Sequence, residues 1–403
     1  MMVAKKEPKT KEEIGKDLQE VQEAVDFSLA DIEGIGPVKL KKLEGAGIRD
    51  ASDLIIRGPK ELGSLIDIDT AACTDIIEKA RSFLREKDVI NKSVMTGREL
   101  LNYRTTTIQF LKSEADNFTE MLGGGYESGV LTELYGEYGS GKTQFCMEAC
   151  INAQLPFYRK CFRCSQTFDD QTVERCPDCD VKTVKLGGLS KTGIPCRVIY
   201  IDTENSFRPE RVLEMIYERG LVETKEQKPI ELKRGDPKQP LNDEEVDKAL
   251  SFLDNIIVMK TANAGHQVMI GEELNTYLNE EGKEPVRLLI LDSITSEFRF
   301  DFSGRGELGE RQILLKKHIK HISRLCEVHN LVGLITNQVM KSPSSFGDPT
   351  LPIGGMTLGH TSTHRIYLKK SGKKIVAILI DSPNHAKNEG VIALTKTGVE
   401  NGE

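Results

Sequence analysis

Gly136-Glu137-Tyr138-Gly139-Ser140-Gly141-Lys142-Thr143 sets three glycines, a cation and a hydroxyl in one short segment. It follows the apolar run Val130-Leu131-Thr132-Glu133-Leu134-Tyr135 and opens a helix-compatible stretch from Gln144 to Ala153. This spacing suits a phosphate-binding loop. The glycines let backbone N–H groups converge on the β- and γ-phosphates, Lys142 neutralises charge there, and the Thr143 hydroxyl can ligate magnesium. The helix starting near Gln144 turns its positive end toward the same anion. A chance glycine-rich turn would share the composition but not the order strand, loop, Lys-Thr, helix. A nucleoside triphosphate with Mg2+ is the expected ligand.

Three more polar residues stand at the ends of apolar, β-branched runs. Val286-Arg287-Leu288-Leu289-Ile290-Leu291-Asp292 ends in a carboxylate, the Walker B pattern, and such an Asp steadies the magnesium shell. Ile199-Tyr200-Ile201-Asp202-Thr203-Glu204 places Glu204 where a carboxylate can take a proton from attacking water. Leu334-Ile335-Thr336-Asn337-Gln338 ends in amides able to sense the γ-phosphate and pass its state to the loop beyond. One acid at a strand end is commonly a solvated terminus. Three polar ends accompanying a phosphate loop form a hydrolytic set, with Lys142, Glu204 and Gln338 as its catalytic members.

The chain has nine cysteines, and four fall in two C-x-x-C pairs, Cys161/Cys164 and Cys176/Cys179. Paired knuckles of this spacing can bring four thiolates to the tetrahedral geometry that Zn2+ prefers. The nearest alternatives are four unrelated surface thiols or redox-active pairs. The strand expected after the phosphate-loop helix is delayed to Arg197, so residues 157–188 read as a zinc-ribbon-like insert. A unit this small cannot build its own apolar core, and metal binding would supply its folding energy. Six basic residues against five acids in the insert argue against a dedicated DNA clamp and favour a structural or partner-docking knob. Cys73, Cys146, Cys150, Cys196 and Cys326 lack such spacing and read as ordinary buried cysteines.

These residues need elements to hold them. The 403 residues suggest two or three units, and the net charge of −7 excludes a globally basic nucleic-acid coat while leaving local basic surfaces open. No apolar run approaches a membrane span and no export signal is recognisable, so a cytoplasmic protein without membrane contact is expected. Residues 1–28 read as a charged flexible tail, 29–87 as a small all-α unit, 88–112 as a polar linker, and 113–403 as an α/β core. In the small unit, Gly34-Ile35-Gly36-Pro37 precedes a helix carrying Lys39, Lys41 and Lys42. Its free amides and lysines can hold DNA phosphates as in a helix-hairpin-helix module, although a plain helix-turn-helix with a solvated lysine face explains the same residues. In the core, strands are expected at 197–202, 255–260, 286–292, 331–337, 366–369, 375–381 and 391–395. Helices are expected at 209–219, 244–253, 267–278 and 308–329. Such alternation predicts a mostly parallel central sheet with an antiparallel C-terminal extension.

The segments Gly123–Gly129, Gly136–Gln144, Ile201–Glu204 with Phe207–Arg211, Gly304–Leu308, Thr336–Val339 and Pro352–Gly355 together resemble the archaeal RadA recombinases, RecA-like strand-exchange ATPases. The resemblance spans roughly residues 29 to 399. It implies a RecA-like P-loop fold and ATP-dependent filament assembly on single-stranded DNA, as a homo-oligomeric filament or ring. It further implies strand exchange with duplex DNA in homologous recombination and double-strand break repair, DNA-stimulated ATP hydrolysis, and accessory recombination proteins as partners. Two DNA-facing loops carry over. The first is Arg299–Gly306, with Arg299 and Arg305 on phosphates and Arg311 on the helix behind. The second is Lys341–Gly355, including Phe346, Gly354 and Gly355. His360 matches the family histidine that links nucleotide to DNA across a subunit boundary, and Asp381 opens the matching nucleotide cap.

Two departures stand out. Where the family's polymerisation segment presents a Phe, this chain has Val94 in Val94-Met95-Thr96-Gly97, which buries roughly one to two kcal/mol less on docking. The cap Asp381-Ser382-Pro383 continues without the usual second proline. A recombinase paralogue that binds ATP and acts as a mediator without exchanging strands is therefore the competing reading.

Overall fold

The computed structural model describes residues 28–86, 94–222, 244–278, 283–302, 304–341 and 350–402. Two compact units emerge: one takes the described residues up to Asn102 with those of Leu274–Glu284, the other Tyr103–Glu273 with Pro285–Glu403.

The first unit is helical: α1 (Pro37–Gly45), α2 (Ala51–Ile56), α3 (Pro59–Ile66) and α4 (Thr70–Glu86), after a 3-10 turn at Leu29–Asp31. Its boundaries follow from local chemistry. Gly34 takes φ +88°, a left-handed conformation that suits glycine, and Pro37 sits in the first turn of α1. Asp50 caps α2 by accepting from Asp53 N at 2.9 Å, and Asp69 accepts from Ala71 N and Ala72 N at the start of α4. On α4 the buried residues Cys73, Ile76, Ile77, Ala80 and Leu84 recur at helical spacing. With Leu43, Ile48, Leu54 and Leu62 they form the interior of this unit.

The stretch expected to be a polar linker, 88–112, departs from that reading. It contains helix α5 (Gly97–Thr107) and strand β1 (Gln109–Leu111), and the second unit begins at Tyr103, before residue 113. Thr96 and Glu99 form a reciprocal cap, with Glu99 N donating to Thr96 Oγ1 at 3.2 Å and Thr96 N to Glu99 Oε2 at 2.7 Å. No residue of α5 is buried, which is why its polar composition concealed a helix.

After α6 (Asp116–Met121), β2 (Tyr126–Glu127) and β3 (Val130–Gly136) lead into α7 (Lys142–Gln154), the helix of the phosphate loop. Strands β4 (Phe157–Lys160), β5 (Thr167–Phe168) and β6 (Val184–Gly187) belong to the insert, and β7 (Arg197–Asp202) follows. Next come α8 (Pro209–Glu218), α9 (Glu244–Asp254), β8 (Ile256–Lys260), α10 (Ala264–Leu278), β9 (Val286–Asp292), α11 (Ser296–Asp301) and α12 (Leu308–Val328). The chain closes with β10 (Val332–Lys341), β11 (Thr350–Pro352), α13 (Gly355–Thr361), β12 (His364–Ser371), β13 (Lys374–Asp381), β14 (Glu389–Leu394) and β15 (Val399–Asn401).

The large sheet runs β15-β14-β13-β12-β3-β10-β9-β7-β8, with β11 paired to β10. Pairings from β12 through β8 are parallel; those from β12 out to β15 are antiparallel. The mixed sheet predicted from the sequence is thus present. Strand β7 is buried throughout, as are six of the seven residues of β3, because helices cover both faces; such strands read as near-continuous apolar runs. In register, Gln338 lies opposite Gly136 and Asp202 opposite Asp292, so the polar strand ends share the carboxyl edge of the sheet.

A second sheet, β2-β1-β6-β4-β5, ties the insert to the core. Leu111 of β1 pairs with Gly187 of β6 in parallel, and β6 pairs antiparallel with β4.

Candidate nucleotide and DNA site

The phosphate loop bridges β3 and α7. Gly139 and Gly141 adopt φ +70° and +88°, and Gly141 caps the helix. The Lys142 ammonium donates to the Gly136 and Glu137 carbonyls at 3.0 Å each, and burial lowers its pKa. Ser140 Oγ is buried without a partner among the described residues. Loop, ammonium and orphan hydroxyl fit a nucleotide phosphate cradle. Tyr138 projects from the loop, 93 % exposed.

Asp292 is the hub behind the loop. Its Oδ2 accepts from Thr143 Oγ1 at 2.8 Å, Tyr200 OH at 2.7 Å and Ser206 Oγ at 3.2 Å, while Oδ1 accepts from Thr336 Oγ1. The pairing of Thr143 with Asp292 joins the two expected magnesium ligands, and this hydroxyl and carboxylate are the donor types a hard cation takes. Tyr200, Ser206 and Thr336 were passed over in the sequence reading. Tyr200 and Thr336 lie within strands whose ends carry the recognised residues, and only alternation toward the loop side could have signalled them.

Glu204 stands two residues beyond the end of β7. Its Oε1 accepts from Ser293 Oγ at 2.7 Å and from Gln338 Nε2 at 2.8 Å. Gln338 Oε1 in turn accepts from Arg299 Nη1 at 2.8 Å. Three residues from three sequence regions, Glu204, Gln338 and Arg299, thereby form one hydrogen-bonded chain. Arg299 lies within α11, and the neighbouring Phe300 is 83 % exposed. From α8, Arg211 Nε donates to Gln144 Oε1 at 2.9 Å and fixes the start of α7.

The remaining expected residues are placed as follows. Arg305 opens a 3-10 turn (Arg305–Glu307) before α12, and Arg311 is half-buried on α12. Residues 342–349, with Phe346, lie outside the described residues. The flanking strands β10 and β11 pair antiparallel, Val339 opposite Pro352, one residue beyond Gln338. Ile353 N donates to Gln338 O at 3.0 Å, and Gly354 caps α13, which starts at Gly355. His360 is exposed on α13, and Asp381 is exposed at the end of β13. In the helical unit, Lys39 Nζ donates to the Gly34 carbonyl at 3.0 Å, folding the lysine over the Gly34–Gly36 turn.

The four insert cysteines converge, with all ligand atoms within 4.8 Å of one another. Each pair is wound into a tight turn: Cys161 N donates to Gln166 O at 2.8 Å, and Cys176 N to Val181 O at 2.9 Å. Four thiols without a carboxylate or imidazole form the soft donor set that zinc takes in structural sites. Cys73, Cys146, Cys150, Cys196 and Cys326 are all buried, as expected, and burial pushes the Cys326 thiol up to about 12.

Among the described residues, no helix is long and apolar enough to cross a membrane. The Rad51 family profile matches residues 103–172 and 242–402, more than half of the chain. A protein of Cenarchaeum symbiosum named DNA repair and recombination protein RadA is 38 % identical over 379 residues, covering 94 % of this chain and 80 % of that one. Proteins of the same name from Haloquadratum walsbyi and Methanoculleus marisnigri are 36 % and 35 % identical, covering 92 % and 93 % of this chain and 98 % and 99 % of their own length. The resemblance read from the motifs is borne out, and the chain belongs to the Rad51 family, alongside the archaeal RadA proteins.

Proposed function

We propose that the chain is an ATP-dependent DNA strand-exchange recombinase that assembles as a homo-oligomeric filament on single-stranded DNA and pairs it with duplex DNA. Family membership and the name shared by its relatives, DNA repair and recombination protein RadA, give this reading its weight over a mediator that does not exchange strands. The observation that carries it is the hydrogen-bonded chain Glu204–Gln338–Arg299, which would tie the carboxylate proposed for hydrolysis to a guanidinium that lies on α11, rather than in an open loop, and is proposed to meet DNA.

In this reading Gly136–Gln144 cradle the phosphates and Lys142 offsets their charge. Thr143 and Asp292 would hold magnesium, which supplies electrostatic stabilisation of the transferring phosphoryl group. Glu204 takes a proton from the attacking water, and Gln338 orients that carboxylate. When a DNA phosphate takes Arg299, the Gln338 oxygen loses its donor and the amide resets against Glu204, so DNA binding adjusts the base. Arg299, Arg305 and Arg311 contact phosphates, while Phe346, Gly354 and Gly355 belong to the second loop. His360 and Asp381 would act on a nucleotide held across a subunit boundary. Residues 29–87 serve as a helix-hairpin-helix domain, with Gly34, Gly36 and Lys39 on a DNA phosphate. Cys161, Cys164, Cys176 and Cys179 hold a structural zinc, and accessory recombination proteins are the further partners.

Strand exchange with ATP and homologous duplex, with Lys142→Ala as the inactive control, tests this reading. Joint-molecule formation supports it; filaments on single-stranded DNA that never exchange would replace it with the mediator reading.

A further inference from the structure

Asn205, the residue after Glu204, has a left-handed backbone with φ +50°. Asparagine enters this region more readily than most side chains but still at a cost, so the conformation persists only where neighbours hold it. Three groups do so. Asp202, buried at the end of β7, accepts from Ser206 N at 2.9 Å and from Phe207 N at 3.1 Å, folding the chain back after Glu204. Arg208 Nη1 donates to the Asn205 carbonyl at 2.9 Å and to the Phe207 carbonyl at 2.8 Å. Lys260 Nζ donates to Asn205 Oδ1 at 2.9 Å. On the other side of Glu204, Thr203 Oγ1 donates to Ser293 O at 2.9 Å and accepts from Ser293 N at 2.8 Å. The exposed Glu204 therefore stands between two anchored neighbours.

Lys260 projects from a fixed backbone. It closes β8, the last strand in the sheet order, and its Cα lies opposite Asp202 in the β7–β8 register. Thr261, next along, donates its N to Asp202 O at 3.4 Å and its Oγ1 to Glu297 Oε1 of α11 at 2.7 Å. Ala264 N donates to Asp301 Oδ2, at the other end of α11, at 2.7 Å. The segment that carries the lysine is thus tied both to the strand that leads into Glu204 and to the helix that carries Arg299. From there the ammonium reaches past its register partner to Asn205, three residues further on. A hydrogen bond of this kind at an exposed position adds little to folding stability. Its consequence is direction: it pins a polar side chain one residue from Glu204, and the backbone at Asn205 sets how Glu204 leaves the turn.

The structure assigns Lys260 as a positioning residue for Glu204, acting through Asn205. This rests on the reading of Glu204 as the group that takes a proton from water. With Asn205 pinned by Lys260 and Arg208, the Glu204 carboxylate stays directed at Ser293 Oγ and Gln338 Nε2, its partners at 2.7 and 2.8 Å. A general base works only within hydrogen-bond reach of its proton, so a small rotation of this turn lowers turnover while the phosphate loop keeps its grip on nucleotide.

Asn205→Gly tests this, because glycine loses the acceptor yet takes a left-handed backbone without strain. Its kcat for ATP hydrolysis should fall several-fold with the KM for ATP unchanged, and Lys260→Met should lower kcat by a similar factor. The double variant should fall no further than either single one, and Asn205→Asp, which keeps the oxygen, should recover most of the rate. The thermal transition should stay where it is throughout. Wild-type kcat in Asn205→Gly would overturn the assignment, and so would a loss confined to Lys260→Met, which would mark an effect of charge alone. Additive losses, or a lowered transition temperature with kcat intact, would likewise overturn it. Glu204→Gln measured alongside separates the two readings. Wild-type turnover in that variant removes the role of Glu204 and the positioning role with it; lost turnover there beside wild-type turnover in Asn205→Gly removes the positioning role alone.

Discussion

Gln338 donates its amide to Glu204 at 2.8 Å while its carbonyl oxygen accepts from Arg299 at the same distance. One side chain therefore touches both the residue assigned to water activation and the residue assigned to DNA. A short amide between a carboxylate and a guanidinium can respond to either without a large movement of the backbone.

Glu204→Gln should keep ATP and DNA binding and lose hydrolysis by about 10²–10⁴-fold, because an amide cannot take a proton from water. Turnover measured with and without single-stranded DNA checks this. Hydrolysis at the wild-type rate would remove Glu204 from the catalytic role.

Arg299→Ala should weaken single-stranded DNA binding similarly for all sequences and lower the salt dependence by about one phosphate contact. It should also blunt the stimulation of hydrolysis by DNA, since Gln338 loses its second partner. Binding isotherms across a salt series on several oligonucleotides provide the check; a loss confined to particular bases would contradict a phosphate contact.

Replacing Cys161 and Cys179 together by Ser should remove about one zinc per chain, the content of a single four-thiolate site. ATP binding should be largely retained, because the phosphate loop is built on a different sheet. Metal analysis after reducing, chelator-free purification decides it, and wild-type protein without zinc would defeat the assignment.

Glu148 predicts a pH effect. It sits on α7, fully inside the core, accepting from Ser113 Oγ at 2.6 Å, Glu114 N at 2.9 Å and Val399 N at 2.9 Å. Burial outweighs these donors and Arg219, and lifts its pKa to about 7. A carboxyl whose folded pKa is raised stabilises the fold fully below its ordinary value near 4.5, and that contribution fades as pH rises through about 7. Thermal stability should therefore fall between pH 5 and pH 8, by on the order of 3 kcal/mol at full ionisation. Glu148→Gln should flatten that slope. A slope identical to wild type would show that another group carries it.

Much of this protein is written locally. The phosphate loop needs only a strand, glycines, Lys142 and a helix start in sequence, and β7, β9 and α8 were placed within a residue of their observed ends because their apolar periods and Pro209 are local signals. The C-x-x-C pairs likewise announced a cluster, since two tight turns each bring a pair of thiols together. Helix α5 was missed because it buries nothing, and apolar period is what reveals a helix. What the chain could not show in one dimension is which polar groups meet. Tyr200 and Thr336 reach Asp292 from 92 and 44 residues away, and Arg299 reaches Gln338 across 39. Those meetings depend on the order β10-β9-β7 in the sheet. Once both faces of these strands are buried, their polar groups must find partners in a low-dielectric interior, and only the neighbouring strand ends supply them.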